Sequence, residues 1–128
     1  MANGLLLDTH ALVWGQLSRK KLTSRAREAI EASSNVYVSS ITFFEIAQKA
    51  RIGKWPEIAP LMHDLAAFHQ RQGGRIVDVD HEIAQSAGEL IWDHHDPFDR
   101  MIAATALKRK MSLISADAMF DEVLRRIW

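Results

Sequence analysis

The sequence predicts an α/β fold, a short parallel sheet of four to five strands flanked by helices. Three observations lead there. Apolar runs of a few residues recur without polar alternation, as in strands covered on both faces. Stretches with helical periodicity separate them. The 128 residues, 48% hydrophobic and 25% charged with only three Pro and six Gly, have the composition of one globular domain spanning 1–128. A chain of this length buries about two-thirds of its unfolded surface and needs neither metal nor disulfide to fold.

The first strand, residues 4–7, is ended by Asp8, and a helix over 10–17 follows. Thr23 or Ser24 caps a second helix over 24–32. The β-branched run 36–39 is the second strand, and residues 41–52 read as helix until Gly53 stops it. Pro56 and Pro60 flank a turn before a helix over 61–72, closed by Gly73 and Gly74. The third strand is 76–79, then a helix over 81–92, a break at 94–97, a helix over 98–110 and the strand 113–114. The tail from Met119 begins as helix; whether residues 126–128 continue it or form a fifth strand stays open.

With no cysteine, disulfide frameworks, thiolate zinc sites, iron–sulfur clusters and thiol nucleophiles are excluded together. Asp8 interrupts the apolar stretch Leu5-Leu6-Leu7, so no leader or membrane span is expected, and the expectation is a soluble, cytoplasmic protein. Sixteen basic residues balance sixteen acidic ones, but they are segregated. Residues 76–99 hold seven acids and no Lys or Arg, while bases gather at Arg19-Lys20-Lys21, at Lys49, Arg51 and Lys54, and at Lys108-Arg109-Lys110. This pattern fits an acidic pocket with a basic rim, or simply solvated helix faces.

In an open parallel sheet the residues just beyond the strand ends converge on one crevice. Asp8 follows the first strand directly, Asp117 follows the strand at 113–114, Asp99 opens the helix before it, and Glu45 lies one turn into the helix after the second strand. Each Asp also has a local reason to be there. Asp8 and Asp117 can cap helices, and Asp96, Pro97 and Asp99 fit the cap, first and third positions of another. On a helical wheel Phe43, Phe44, Ile46, Ala47 and Ala50 form an apolar arc, with Glu45 outside it beside Thr42, Gln48 and Lys49. Glu45 therefore lines a cleft or pairs with Lys49 on a solvated face. Converging carboxylates repel unless a cation sits among them, and a hard divalent ion with oxygen ligands suits metal-assisted phosphodiester hydrolysis.

Leu5-Leu6-Leu7-Asp8-Thr9-His10, Ser39 through Ala47, Gly53-Lys54, Asp96-Pro97-Phe98-Asp99-Arg100 with the small-residue helix after it, and Leu113-Ile114-Ser115-Ala116-Asp117 together resemble the PIN domain of VapC-type toxins. The resemblance spans nearly the whole chain in order and implies a PIN-like three-layer fold. It also implies a metal-dependent endoribonuclease, the toxin of a type II toxin–antitoxin pair. The family's acidic quartet falls on Asp8, Glu45, Asp99 and Asp117, and Asp96 matches a frequent additional acid. Mg2+ or Mn2+ bound by these acids, often through water, would activate water for in-line attack on RNA and leave a 5′-phosphate.

Thr9 and Ser115 match hydroxyl residues that orient the ligands, and Arg100 matches a family position explained equally by substrate contact or an ion pair. Lys49, Arg51 and Lys54 are further candidates for RNA phosphate, as are the loop residues His94 and His95. A homodimer and a cognate antitoxin are implied too, with Trp14 and Trp55 as candidates for the exposed surface the antitoxin covers. The competing readings are a catalytically inactive PIN-like protein-binding module and a phosphorylatable signalling domain, which also carries acids beyond parallel strands.

Overall fold

Leu6 and Leu7 point to opposite sides of the sheet, which is why the first strand reads as an unbroken apolar run. Leu113 and Ile114 divide between the faces in the same way. The structure, a computed structural model, describes residues 4–128. Its strands are β1 (Leu5–Leu7), β2 (Val36–Ser39), β3 (Arg75–Val77), β4 (Ser112–Ile114) and β5 (Arg126–Ile127), and its helices are α1 (Thr9–Leu17), α2 (Ser24–Ala32), α3 (Ser40–Arg51), α4 (Leu65–Arg71), α5 (His81–Glu89) and α6 (Pro97–Arg109). The sheet order is β3-β2-β1-β4-β5, with every neighbouring pair parallel. One core cluster joins Leu7, Val38 and Ile114 to Leu12, Ala26 and Ile46; the other joins Leu6 and Leu113 to Ile102, Ala106 and Phe120. These are the three layers expected. A phosphorylatable signalling domain of the flavodoxin-like type has the order 2-1-3-4-5 instead, and this sheet does not.

β1 is central, paired with β2 through Leu5↔Val36 and with β4 through Leu5↔Ser112. Gly4 makes that start possible. Its φ is +108°, and a Cβ there would stand 2.8 Å from the Asn35 carbonyl oxygen. At the other end Asp8 leaves the strand and caps α1, accepting the Ala11 N–H at 2.8 Å. Its own N–H donates to the Ile114 carbonyl, which ties the carboxyl ends of β1 and β4 together.

Four elements depart from expectation, each for a local reason. The helix expected over 61–72 is divided into a 3-10 turn at Ala59–Leu61 and α4, because successive i→i+3 bonds from Trp55 to Asp64 wind the chain tightly around buried Ile58. The helix expected to reach residue 92 stops at Glu89, where Leu90 turns extended. The Arg100 guanidinium then binds the carbonyls of Ala87, Leu90, Trp92 and His94 and holds the segment after α5 extended. β3 ends two residues early because the Val79 N–H donates to Ser40 Oγ rather than to a neighbouring strand. The open question at the C-terminus resolves as strand. A 3-10 turn at Ala118–Glu122 reverses the chain over buried Phe120, and β5 pairs through Leu113↔Arg126 and Ile114↔Ile127. Asp121 accepts from the Arg126 guanidinium at 2.9 and 3.0 Å and ties the turn to the start of β5.

The helical wheel misjudged α3. Phe44, placed in the apolar arc, is 51% exposed, whereas Thr42 and Glu45, placed outside it, are 0% and 7% exposed. α3 packs against α1 and α6 as well as the sheet, so a face that looks polar in sequence is enclosed by two neighbouring helices.

Candidate active site

An open cavity of about 460 Å³ lies beyond the carboxyl ends of β1 and β4, lined by Asp8, Glu45, Asp96, Asp99 and Asp117, with Thr9, His10, Trp14 and Lys49 among its other walls. A second cavity of about 460 Å³, between α1 and the Gly73-Gly74 turn, holds none of these acids. All five acids named from sequence therefore share one site, although they come from four stretches of chain. Capping and convergence turn out to be the same fact. Asp8 caps α1, Asp96 caps α6 by accepting the Phe98 and Asp99 N–H groups, and Asp117 caps the last 3-10 turn by accepting the Met119 N–H. Helix starts at strand ends point their N-termini, and hence their caps, at the crevice.

The cluster is electrostatically uncomfortable. Burial pushes the Asp8 carboxyl up to about 6, with the charges of Glu45 and Asp117 adding to the effect and hydrogen bonds from Ser115 and the Ala11 N–H opposing it. Burial likewise pushes Asp99 up to about 6, opposed by a hydrogen bond from His94 and reinforced by Asp96 and Glu45. Two nitrogen-bearing side chains pair with these acids. Lys49 Nζ lies 2.8 Å from Glu45 Oε2, and His94 Nε2 lies 2.7 Å from Asp99 Oδ2. Glu45 thus both lines the cleft and pairs with Lys49.

Thr9 and Ser115 both place their hydroxyls among the acids. Thr9 Oγ1 donates to Glu45 Oε1 at 2.6 Å and lies 3.1 Å from Thr42 Oγ1, while fully buried Ser115 accepts the Asp117 N–H. Among the described residues no three Asp, Glu or His side chains form a closed cation cage. Glu45 is paired with Lys49, and Asp99 is hydrogen-bonded to His94. The donor set is nonetheless oxygen throughout, with excess negative charge, which fits a hard divalent ion that keeps several waters.

Other assignments need correction. Arg100 does not line the cavity, and its guanidinium is spent on the carbonyls of Ala87, Leu90, Trp92 and His94. Arg51 and Lys54 are exposed but do not line the cavity, and of the three bases in that group Lys49 alone does. Trp55 is 9% exposed, beneath Lys49 and beside His10, so it is no open docking surface, and Trp14 is half-buried; the most exposed large apolar side chains are Ile91, Phe44 and Ile52. Sequence reasoning passed over His10 on the cavity wall and placed His94 at a phosphate rather than at Asp99. The spacing of His10 from Asp8 along the start of α1 was the available signal.

Residues 5–125 match the family model of the PIN domain. Ribonuclease VapC22 of Mycobacterium tuberculosis (strain ATCC 25618 / H37Rv) is 29% identical over 114 residues, covering 88% of this chain and 86% of that one. VapBC2 from Rickettsia felis, bound to a DNA fragment from its promoter, superimposes with a TM-score of 0.68 at 18% identity, covering 96% of both chains. VapC20 of Mycobacterium tuberculosis, described as a sarcin-ricin loop cleaving toxin, superimposes with a TM-score of 0.64 at 16% identity, covering 92% of this chain and 93% of that one.

Proposed function

The chain belongs to the PIN domain family, and on that premise we propose that it is a metal-dependent endoribonuclease, the toxin of a toxin–antitoxin pair, hydrolysing RNA phosphodiester bonds. The observation that carries this reading is the convergence of Asp8, Glu45, Asp99 and Asp117 on one cavity. Its supports are the ribonuclease named among its relatives and the antitoxin complexes among its structural neighbours.

Asp8, Asp99 and Asp117 would hold Mg2+ or Mn2+, with Glu45 binding a second ion or positioning water. When bound, such an ion lowers the pKa of water and stabilises charge building on a phosphate oxygen. The chain's own residues prepare for it. Thr9 fixes the direction of Glu45, Ser115 steadies Asp8 and the turn into Asp117, and Asp96 anchors the start of α6 so that Asp99 faces the cavity. Lys49, which lines the cavity 2.8 Å from Glu45, would be the cation placed to meet a substrate phosphate. Single-stranded or looped RNA is the substrate class, because only there is the phosphate accessible to a shaped cavity. A cognate antitoxin, a homodimer and a cytoplasmic setting complete the proposal, and no helix among the described residues is long and apolar enough to cross a membrane.

Purified protein incubated with single-stranded RNA should cut it in Mg2+ or Mn2+, stop in chelator, and lose cutting in Asp8→Asn. Cutting that persists in chelator, or in the variant, overturns the assignment. A folded wild-type protein that binds RNA or a partner but never cuts would make this an inactive binding module.

A further inference from the structure

We infer that His10 and Trp14 form a nucleobase-stacking wall inside the active-site cavity, a subsite for one unstacked base of single-stranded RNA beside the phosphate to be cut. This rests on the nuclease reading. α1 begins at its cap Asp8, the most buried of the site's aspartates, and carries His10 and Trp14 four residues apart on one face. Both side chains line the cavity together with the acids. Their ring centroids are 5.3 Å apart at 57°.

The wall is supported from behind. Trp55, buried, stands 4.9 Å from the His10 ring, and Trp128 stands 5.8 Å from that of Trp14. His10 itself is exposed, so its ring meets the cavity and not the core. An acidic floor alone repels a polyanion, and a metal ion held there would offset only part of that charge. Aromatic rings provide uncharged attachment, since every base has a π-face, and cations flank them here. Lys49 Nζ lies 5.5 Å from the Trp55 centroid and Lys21 Nζ lies 5.7 Å from that of Trp14. Stacking of this kind requires that a base be present more than that it be a particular base. Substrate choice should accordingly follow single-strandedness more than sequence at this position.

The test moves a single abasic ribose along a short single-stranded RNA and measures kcat/KM in Mn2+ for the wild type, His10→Ala and His10→Phe. In the wild type, one abasic position next to the cut should lower kcat/KM by roughly 10-fold or more. His10→Ala should cut intact RNA more slowly and lose most of that base dependence, Trp14 alone remaining, whereas His10→Phe should keep it. An undiminished base dependence in His10→Ala overturns the proposal and leaves this wall to packing or to a protein partner. The same oligonucleotides titrated against Asp8→Asn, with and without His10→Ala, read the subsite by affinity alone. Failure of the wild type to cut therefore sinks the nuclease reading, while an abasic penalty in affinity that survives His10→Ala undiminished sinks the subsite.

Discussion

Replacing Asp8 by Asn should abolish cutting and yet stabilise the metal-free protein. The Asp8 carboxylate is 8% exposed, and burial, reinforced by the charges of Glu45 and Asp117, pushes it up to about 6. An unfolded aspartate ionises near 3.9, so roughly two pH units separate the folded and unfolded groups, equivalent to about 3 kcal/mol. The folded state takes up the proton first. Stability is therefore lost as pH rises through the window from about 4 to about 6, and the full deficit is present above it. Asparagine carries no charge but still accepts the Ala11 N–H as a helix cap.

In chelator at pH 7.5, Asp8→Asn should be more stable by about 1 to 3 kcal/mol, the range allowing for relaxation of Lys49 and the neighbouring acids. That raises the melting temperature by about 4 to 12 °C for a chain of this length. At pH 4 the two proteins should melt together. Urea titrations and thermal melts from pH 4 to 8 measure this directly. A variant no more stable than the wild type at pH 7.5, or a gain that does not fade with acid, would refute the idea that this carboxylate is held in place for a cation.

Three further outcomes follow from the same geometry. Arg100→Lys should destabilise the fold by about 2 to 4 kcal/mol in urea, because one ammonium cannot serve the carbonyls of Ala87, Leu90, Trp92 and His94; the folded fraction should bind RNA normally, and a selective loss of RNA binding would return Arg100 to the interface. Thr9→Val removes the 2.6 Å donor to Glu45 and should weaken Mn2+ binding by about 10- to 100-fold in calorimetry; unchanged affinity would make the hydroxyl purely structural. Gly4→Ala should cost about 2 kcal/mol in thermal melts, since its Cβ would meet the Asn35 backbone oxygen at 2.8 Å, and a neutral result would mean that β1 starts elsewhere.

The parts of the fold that could be read from sequence are those with local causes. Leu5-Leu6-Leu7 and Leu113-Ile114 announce strands because both faces of the sheet are covered, and Thr23 and Asp96 mark helix starts because each side chain caps its own backbone. The acids Asp8, Asp99 and Asp117 were legible because parallel topology sends strand ends to one crevice. What escaped depends on contacts distant in sequence. Glu45 is buried by α1 and α6, which no wheel of α3 alone contains, and Phe44 is left exposed by the same packing. α5 ends where Arg100, eleven residues beyond Glu89, collects its carbonyls. β5 depends on buried Phe120 and the Asp121–Arg126 pair, and the His94–Asp99 contact forms only because the loop folds back on α6.

The most direct test of the central claim is Mn2+ anomalous scattering from crystals of the wild-type protein. A peak among the Asp8, Asp99 and Asp117 carboxylates, with Lys49 displaced from Glu45, is the predicted result. Manganese bound only elsewhere, with Lys49 still on Glu45, would contradict a shared cation at the junction of these strand ends.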